Sequence, residues 1–253
     1  MVPWTSVIFS GISIILSLIL PVVLALWFWR KTRVPFTTIL IGALTFFVMQ
    51  IVLRIPLVQI LGLLIKPGEL ISTTAGLLLW SGFLALTAAL FEELGRFLFF
   101  KVFRRQADWQ NAVAFGIGHG GIEAMLLVGL NSIANTILLA ILAADLPIEL
   151  PSEVVEQFTS VASLDFLAGG IERLLTLPVH IALSILVVAG IRRKNFGYVL
   201  LAIGAHFLLN FPIIWLAQNW GIWPTEGYLL IWSIAALVLI SRSRRLFAET
   251  EKI

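Results

Sequence analysis

The stretch SVIFSGISIILSLILPVVLALWFW, residues 6–29, is 24 residues long and contains no charged side chain. A helix of about 20 apolar residues spans the hydrocarbon core of a bilayer, which is roughly 30 Å thick. Similar runs recur along the whole chain, of which 60% is hydrophobic and only 12% is charged. In lipid, only helices and closed barrels satisfy the backbone. Because these runs are too long and too uniformly apolar for barrel strands, they predict an all-α, polytopic bundle.

The apolar runs predict about seven membrane-spanning helices in one integral-membrane domain, residues 1–253. The predicted spans are Ser6–Trp29, Phe36–Ile65, Leu70–Phe100, Trp109–Ala143, Phe166–Ile191, Phe196–Ala217 and Tyr228–Ile240. Arg54 and Pro56 lie within the second run, and the bundle has eight spans if that helix breaks there. No segment is long and polar enough for a separate soluble domain.

Positive charge is distributed unevenly between the predicted connections. Thirteen of the 17 Lys and Arg residues follow the first, third, fifth and seventh spans, whereas the alternate connections hold only Lys66. By the positive-inside rule, this pattern predicts an N-terminus outside and a C-terminus in the cytoplasm. The expected location is a prokaryotic cytoplasmic membrane, as a multi-pass protein. The 145–165 connection has five acidic residues and no Lys or Arg, as expected outside, and its spacing predicts a short surface helix.

Composition also excludes several classes of protein. The chain has no cysteine, which excludes disulfides, thiolate metal ligands and a cysteine nucleophile. No basic surface typical of nucleic-acid binding is present, and the expected environment is the lipid bilayer. The pattern does not indicate a particular oligomeric state.

All three histidines of the chain, His119, His180 and His206, fall inside predicted spans. An ionisable side chain is costly in hydrocarbon, so such residues mark candidate functional sites. Counted from the cytoplasmic ends of their helices at about 1.5 Å per residue, all three lie roughly 15–18 Å deep. Imidazole suits zinc, which binds three protein ligands and a water in catalytic sites. The pattern therefore predicts a buried zinc site, with Glu123 as a fourth ligand or as an acceptor for an imidazole N–H.

A second set of polar residues fits hydrolysis at that metal. Glu92 or Glu93, on the third span, would accept a proton as a metal-activated water attacks a carbonyl. Arg96 lies within one turn of both glutamates and would keep one of them charged. Asn210 lies four residues after His206 and would donate to an oxyanion or orient a ligand.

Other polar residues are expected to support the site rather than to react. We interpret two pairs of residues as buried structural pairs in a second layer around the site: Gln50 and Arg54 of the second span, and the adjacent Glu172 and Arg173 of the fifth. Gly116 and Gly120 form a small-xxx-small pair that lets another helix approach the fourth span closely.

At these residues the chain resembles the YhfC family of intramembrane metalloproteases, a distant relative of the CAAX prenyl proteases, the bacteriocin-processing enzymes and the PrsW group. The resembling segments are Gln50-Ile-Val-Leu-Arg54-Ile-Pro56, Glu92-Glu93-Leu-Gly-Arg96, Gly116-Ile-Gly-His119-Gly-Gly-Ile-Glu123, Glu172-Arg173 with His180-Ile-Ala-Leu-Ser184, and His206-Phe-Leu-Leu-Asn210. In the wider superfamily a glutamate pair activates water, and a histidine and a His-x-x-x-Asn helix complete the site. The resemblance thus implies roles for Glu92 or Glu93, His119, His206 and Asn210, through a metal or through glutamate and histidine alone.

The leading hypothesis is an intramembrane peptidase that cleaves a membrane-associated protein or peptide and opens towards the cytoplasmic half. Its catalytic core is expected at about 70–217. Two alternatives remain. A transporter or channel would use the buried Arg, Glu and His residues as a substrate or proton path. A haem protein would use two histidines as axial ligands. Stoichiometric zinc favours the peptidase, solute flux in liposomes favours transport, and a Soret band favours haem.

Glu92→Gln and Glu93→Gln are expected to leave folding intact, and at least one of them should abolish cleavage because it removes the proton acceptor. Cleavage assays on the folded variants check this. Full activity in both variants would rule out a glutamate base.

Overall fold

The computed structural model describes residues 2–103 and 106–248. Within these residues there is no strand, and seven helices are long and apolar enough to cross a membrane. The predicted all-α bundle of about seven spans is therefore confirmed. These helices are α1 (Trp4–Thr32), α2 (Phe36–Ile65), α3 (Thr74–Phe103), α4 (Trp109–Ala143), α5 (Ser163–Arg193), α6 (Gly197–Trp220) and α7 (Ile222–Phe247). Arg104, Arg105 and Lys252, which contribute to the predicted charge asymmetry, lie outside the described residues.

Helix α2 continues past Pro56, so the eight-span alternative is wrong. Its middle, Phe47–Arg54, is wound as a π-helix, and Pro56 lies in the first turn of the α-helical stretch Ile55–Ile65. A proline is tolerated in a first turn because its missing N–H is not needed there. The change from π to α winding thus supplies a place for this proline without breaking the span.

Helix α5 lies at the centre of the bundle. In its most apolar window 78% of the residues are buried, against at most 33% in any other span, and it packs on α1, α3, α4, α6 and α7. A helix that is apolar on all sides is expected in such a position. The other spans therefore present their outer faces to lipid, and polar groups on α5 face protein.

Two glycines on α4 allow α5 to come unusually close. A Cβ atom on Gly116 would lie 2.6 Å from Ile181 Cα, and one on Gly120 would lie 2.9 Å from His180 Cβ. The predicted close approach of another helix is therefore confirmed, and that helix is α5. Because His119 lies between the two glycines, this packing brings its ring to within 5.6 Å of the His180 ring, measured between centroids.

The helix connections gather at two ends of the bundle. One end, which we call the acidic face, contains the acidic 145–165 connection. There Ser6 Oγ donates to Ser163 Oγ at 2.9 Å, and the expected surface helix is present at Ser152–Thr159. At the other end, the basic face, Arg192 at the end of α5 donates to the carbonyl oxygen of Ala107 at 3.2 Å. The placement of the acidic face outside the cell stays a prediction from the charge pattern.

Gly116→Ala is expected to lower the melting temperature of the detergent-solubilised protein, because the new methyl group would overlap the α5 backbone. Overpacking of this kind costs about 1–3 kcal/mol. Gly204→Ala in α6 is the matched control: its Cβ would meet nothing within 4 Å, and alanine favours a helix. Thermal unfolding followed by circular dichroism measures both, and equal melting temperatures would contradict the packing described for α4 and α5.

Candidate metal centre

Two glutamates and two histidines from three helices form a compact, buried group, which we call the Glu–His cluster. Glu92 comes from α3, His119 and Glu123 from α4, and His180 from α5. One possible ligand atom from each residue lies within 4.8 Å of the others, and each side chain belongs to a residue that is at least nine-tenths buried. His119 and Glu123 share a helix face because they are four residues apart.

The contacts inside the cluster leave two possible metal-ligating atoms without a hydrogen-bond partner. Nε2 of His119 lies 3.0 Å from Oε2 of Glu92. Nε2 of His180 lies 2.9 Å from Oε2 of Glu123, but the alignment is not that of a hydrogen bond. Among the described residues, this Glu123 oxygen and Nδ1 of His119 are buried without a hydrogen-bond partner. Buried polar atoms are rarely left unpaired, so these two atoms indicate that the cluster accommodates a further group.

The chemistry of the donor set fits a zinc ion. Two imidazoles and one carboxylate are a ligand set of catalytic zinc sites, in which a water occupies the fourth position. The Glu–His cluster contains this set and one further carboxylate. The cluster is buried, so a bound divalent cation would offset the adjacent negative charges. The predicted zinc ligands His119, His180 and Glu123 are therefore brought together, and Glu92 lies beside them.

Arg96 connects the cluster to its surroundings. Its Nη2 lies 3.4 Å from Oε2 of Glu92, and its Nε lies 3.6 Å from Oε2 of Glu93. The sequence predicts pairing with either glutamate, and Arg96 lies within ion-pair distance of both. Nη1 donates to the carbonyl oxygen of His180 at 2.9 Å, and to Oγ of Ser184 at 3.2 Å. The sequence pattern does not predict that Ser184 binds Arg96. The one indication in the sequence is that Ser184 lies one helical turn after His180.

The Arg96 contact decides which nitrogen of His180 is protonated. Nη2 of Arg96 lies 2.8 Å from Nδ1 of His180, and a guanidinium only donates hydrogen bonds. Nδ1 is therefore the acceptor, and in the neutral ring the proton is on Nε2, beside Glu123. Binding of a metal ion through His180 must replace either this proton or the hydrogen bond from Arg96.

His206 lies next to the cluster but is held by a different carboxylate. Its Nδ1 pairs with Oε1 of Glu93 at 2.7 Å, and its ring centroid lies 5.9 Å from that of His180. His206 is not among the four residues within ligand distance of one another. Its role as a ligand is a prediction from the sequence alone, and the geometry favours His119, His180 and Glu123 instead. A histidine oriented by a carboxylate in this way has its second nitrogen available for a ligand or a proton.

Arg173 links the cluster to the second layer. Its Nη1 donates to Oε1 of Glu123 at 2.8 Å, and its Nη2 also pairs with Glu172. Glu172 and Arg173 thus occupy the second layer in which they were expected, with Glu123 as the contact.

Gln50 and Arg54 of α2 face the bundle interior but do not contact the cluster directly. Nη2 of Arg54 donates to the carbonyl oxygen of Leu84 at 2.7 Å, and its Nε donates to Oγ1 of Thr87 at 3.1 Å. Oε1 of Gln50 is buried without a hydrogen-bond partner among the described residues. Both residues line a cavity that adjoins the cluster.

This cavity has a volume of about 240 Å³ and extends from the cluster towards the acidic face. Its wall includes Glu92, Glu123, His180, His206 and Asn210. From these residues the lining continues along α3 back to Ser81, along α5 back to Glu172 and along α6 forward to Ile214, always towards the acidic face.

The opposite side of the cluster, towards the basic face, is filled by apolar side chains. Phe100, Phe115 and Ile185 are completely buried there and belong to one hydrophobic core. The cavity beside the cluster instead extends towards the acidic face. If that face lies outside, as the charge pattern predicts, this direction is opposite to the predicted cytoplasmic opening, and both the orientation and the opening stay predictions.

A family model described as "YhfC intramembrane metalloprotease" matches residues 16–229. The chain belongs to the YhfC family. The matched segment contains every residue of the Glu–His cluster, as well as Glu93, Arg96, His206 and Asn210. The "Uncharacterized membrane protein YhfC" of Bacillus subtilis (strain 168) is 33% identical over 231 residues, which cover 85% of this chain and 86% of that protein. No solved structure matches the chain. Membership in the family agrees with the seven apolar helices and makes the protein a multi-pass integral membrane protein.

The absence of native cysteine makes the direction of the cavity testable by labelling. With the predicted orientation, Ile214→Cys at the outer end of the cavity should react with a membrane-impermeant maleimide added outside intact cells. Glu153→Cys, on the exposed surface helix of the acidic face, is the positive control. Lys194→Cys, on the basic face, should react only after permeabilisation. Labelling of Ile214→Cys together with Lys194→Cys, and only after permeabilisation, would contradict an opening to the acidic face.

Proposed function

We propose that this protein is an intramembrane peptidase whose Glu–His cluster holds a zinc ion and hydrolyses a peptide bond of a membrane-associated protein or peptide. One observation carries the proposal: a compact set of zinc-type donors lies buried at the inner end of a cavity. The family description agrees with it. Concave sites of this kind enclose most of the surface of the ligand that they bind.

His119, His180 and Glu123 are the proposed metal ligands. When bound, zinc acts as a Lewis acid and supplies a nucleophilic water at neutral pH. Arg173 holds Glu123 in position through its hydrogen bond at 2.8 Å. Gly116 and Gly120 hold His119 against His180 by allowing the two helices to approach.

Glu92 is the proposed general base. It lines the cavity, and its Oε2 lies 3.0 Å from Nε2 of the proposed ligand His119. Glu93 is completely buried and is not part of the described cavity wall. We therefore assign proton acceptance to Glu92 and assign to Glu93 the orientation of His206. Arg96 contacts both carboxylates and fixes their positions.

His206 and Asn210 are proposed to position the reactants. Because Glu93 pairs with Nδ1 of His206, Nε2 of the neutral ring is left to accept a hydrogen bond from water or substrate. Asn210 lines the cavity one turn further along α6, and its amide N–H groups would stabilise the oxyanion formed at the substrate carbonyl.

The proposed reaction balances without another reactant. The water oxygen forms a bond to the carbonyl carbon, and Glu92 takes the proton that the water loses. The carbon–nitrogen bond then breaks, and the same proton passes from Glu92 to the departing nitrogen. The products are a carboxylic acid and an amine, and the enzyme is restored.

The two alternative functions are not favoured by the geometry. A haem plane between His119 and His180 would need the space in which Oε2 of Glu92 lies, 3.0 Å from one ring nitrogen and 4.0 Å from another. A transport path would have to continue through the apolar core around Phe100 and Phe115. Hydrolysis needs neither feature.

A comparison of protein termini in whole membranes tests the proposal. Cells producing the wild type should accumulate new termini within or beside membrane segments of other proteins. Glu92→Gln should reduce these termini by about a hundredfold or more, because it removes the general base. Glu69→Gln, an equal change of charge at an exposed position, is the control and should behave as the wild type. The same termini at the same level with Glu92→Gln would contradict the proposal.

A further inference from the structure

A second cavity, of about 280 Å³, lies at the acidic face between the ends of α5, α6 and α7. It shares Glu172 and Ile213 with the cavity beside the Glu–His cluster, so the two adjoin. We call it the acidic pocket. Its polar lining consists mainly of the carboxylates of Asp165, Glu172 and Glu226, and its remaining wall is largely apolar. No Lys or Arg belongs to the described lining.

The three carboxylates differ in how well they are paired. Glu172 forms an ion pair with Arg173, which also forms an ion pair with Glu123 of the cluster. Asp165 accepts a hydrogen bond from the neutral indole N–H of Trp223 at 3.0 Å. These contacts leave the acidic pocket with more negative than positive charge.

Of the three carboxylates, Glu226 is the one whose environment indicates that the pocket binds a ligand. The residue is 7% exposed, it lines the pocket, and its buried Oε2 has no hydrogen-bond partner among the described residues. An acceptor that is buried without a donor costs free energy, and more so when it belongs to an ionisable group. A donor entering the pocket would remove this cost.

The arrangement suits an organic cation better than a metal ion. None of the three carboxylates is in the group of side chains that the described residues bring within metal-ligand distance. Ammonium and guanidinium groups carry several N–H donors and can reach carboxylates that are further apart. The apolar wall formed by Ile213, Ala217 and Leu229 suits the aliphatic stem of a Lys or Arg side chain.

The distance to the cluster fits one peptide segment that occupies both cavities. Glu172 precedes His180 by eight residues on α5, which corresponds to about 12 Å along a helix. An extended peptide advances about 3.3–3.6 Å per residue, so about three or four residues separate the two places.

We propose that the acidic pocket is a subsite for a basic residue of the peptide substrate, about three or four residues from the bond that is cleaved. This inference rests on the proposed peptidase function, because it takes the ligand to be part of the same chain that enters the cluster cavity. Glu226 is the principal acceptor, with Asp165 and Glu172 completing the negative surroundings. The subsite selects membrane-associated peptides with a positive charge near the acidic face.

Binding of two synthetic peptides tests this subsite. Both are fluorescent and apolar, and they differ only in having Lys or Gln at one position. Fluorescence anisotropy is measured in detergent with Glu92→Gln protein, in which the proposed base is absent and cleavage does not disturb the measurement. We expect the Lys peptide to bind at least about tenfold more tightly than the Gln peptide, a difference of about 1.4 kcal/mol.

Glu226→Gln should abolish this preference, and Asp165→Asn should weaken it. The melting temperature of Glu226→Gln should not fall, because the variant replaces an unpaired buried carboxylate with a neutral amide. Glu153→Gln makes the same change on the exposed surface helix and should keep the full preference. Equal binding of both peptides by protein with an intact pocket, or an unchanged preference in Glu226→Gln, would overturn the proposal.

Cleavage of the same peptides by protein with an intact Glu92 separates the two proposals. A Lys preference in binding without any cleavage would support the subsite and contradict the peptidase. Cleavage of both peptides with no Lys preference in binding would support the peptidase and overturn the subsite.

Discussion

The ion pairs of Arg96 are the interaction on which the site depends. Glu92 and Glu93 are buried in the middle of an apolar bundle, where an uncompensated carboxylate would cost several kcal/mol. One guanidinium, itself 1% exposed, contacts both of them and also the backbone and ring of His180. It therefore fixes α3 against α5 and places one glutamate in the Glu–His cluster and the other beside His206.

The two halves of the bundle have different tasks because they are packed differently. Directly beside the Glu–His cluster on the side of the basic face, large apolar side chains such as Phe100 and Phe115 form a buried core. Towards the acidic face, π-helical turns follow Glu123 and precede Ile55, and the interior contains cavities with polar walls. π-turns are common at functional sites because they alter the direction of neighbouring side chains. The metal-ligating atoms of the cluster thus lie between a buried apolar core and a cavity with polar walls.

The sequence predicts most of the fold and most of the cluster, because both follow from regular helices. The lengths of the apolar segments predict the seven spans. Because each helical residue adds the same rise, the sequence also predicts that the three histidines lie at one depth, and in the structure their rings are neighbours. The direction in which the site opens does not follow from helix spacing, because it depends on how side chains of different helices fill space. Glu226 was missed because the predicted seventh span starts at Tyr228, whereas the helix starts at Ile222. The pairing of His206 with Glu93 depends on rotamers that spacing alone does not specify.

The most direct test of the central claim is the zinc content of the purified protein, measured by elemental analysis without chelator at any step. We expect about one zinc ion per chain in the wild type, loss of this zinc in His119→Ala and in His180→Ala, and its retention in His206→Ala and in Glu153→Gln. A wild type without zinc, or zinc that stays when both cluster histidines are replaced, would contradict a metal centre formed by the Glu–His cluster.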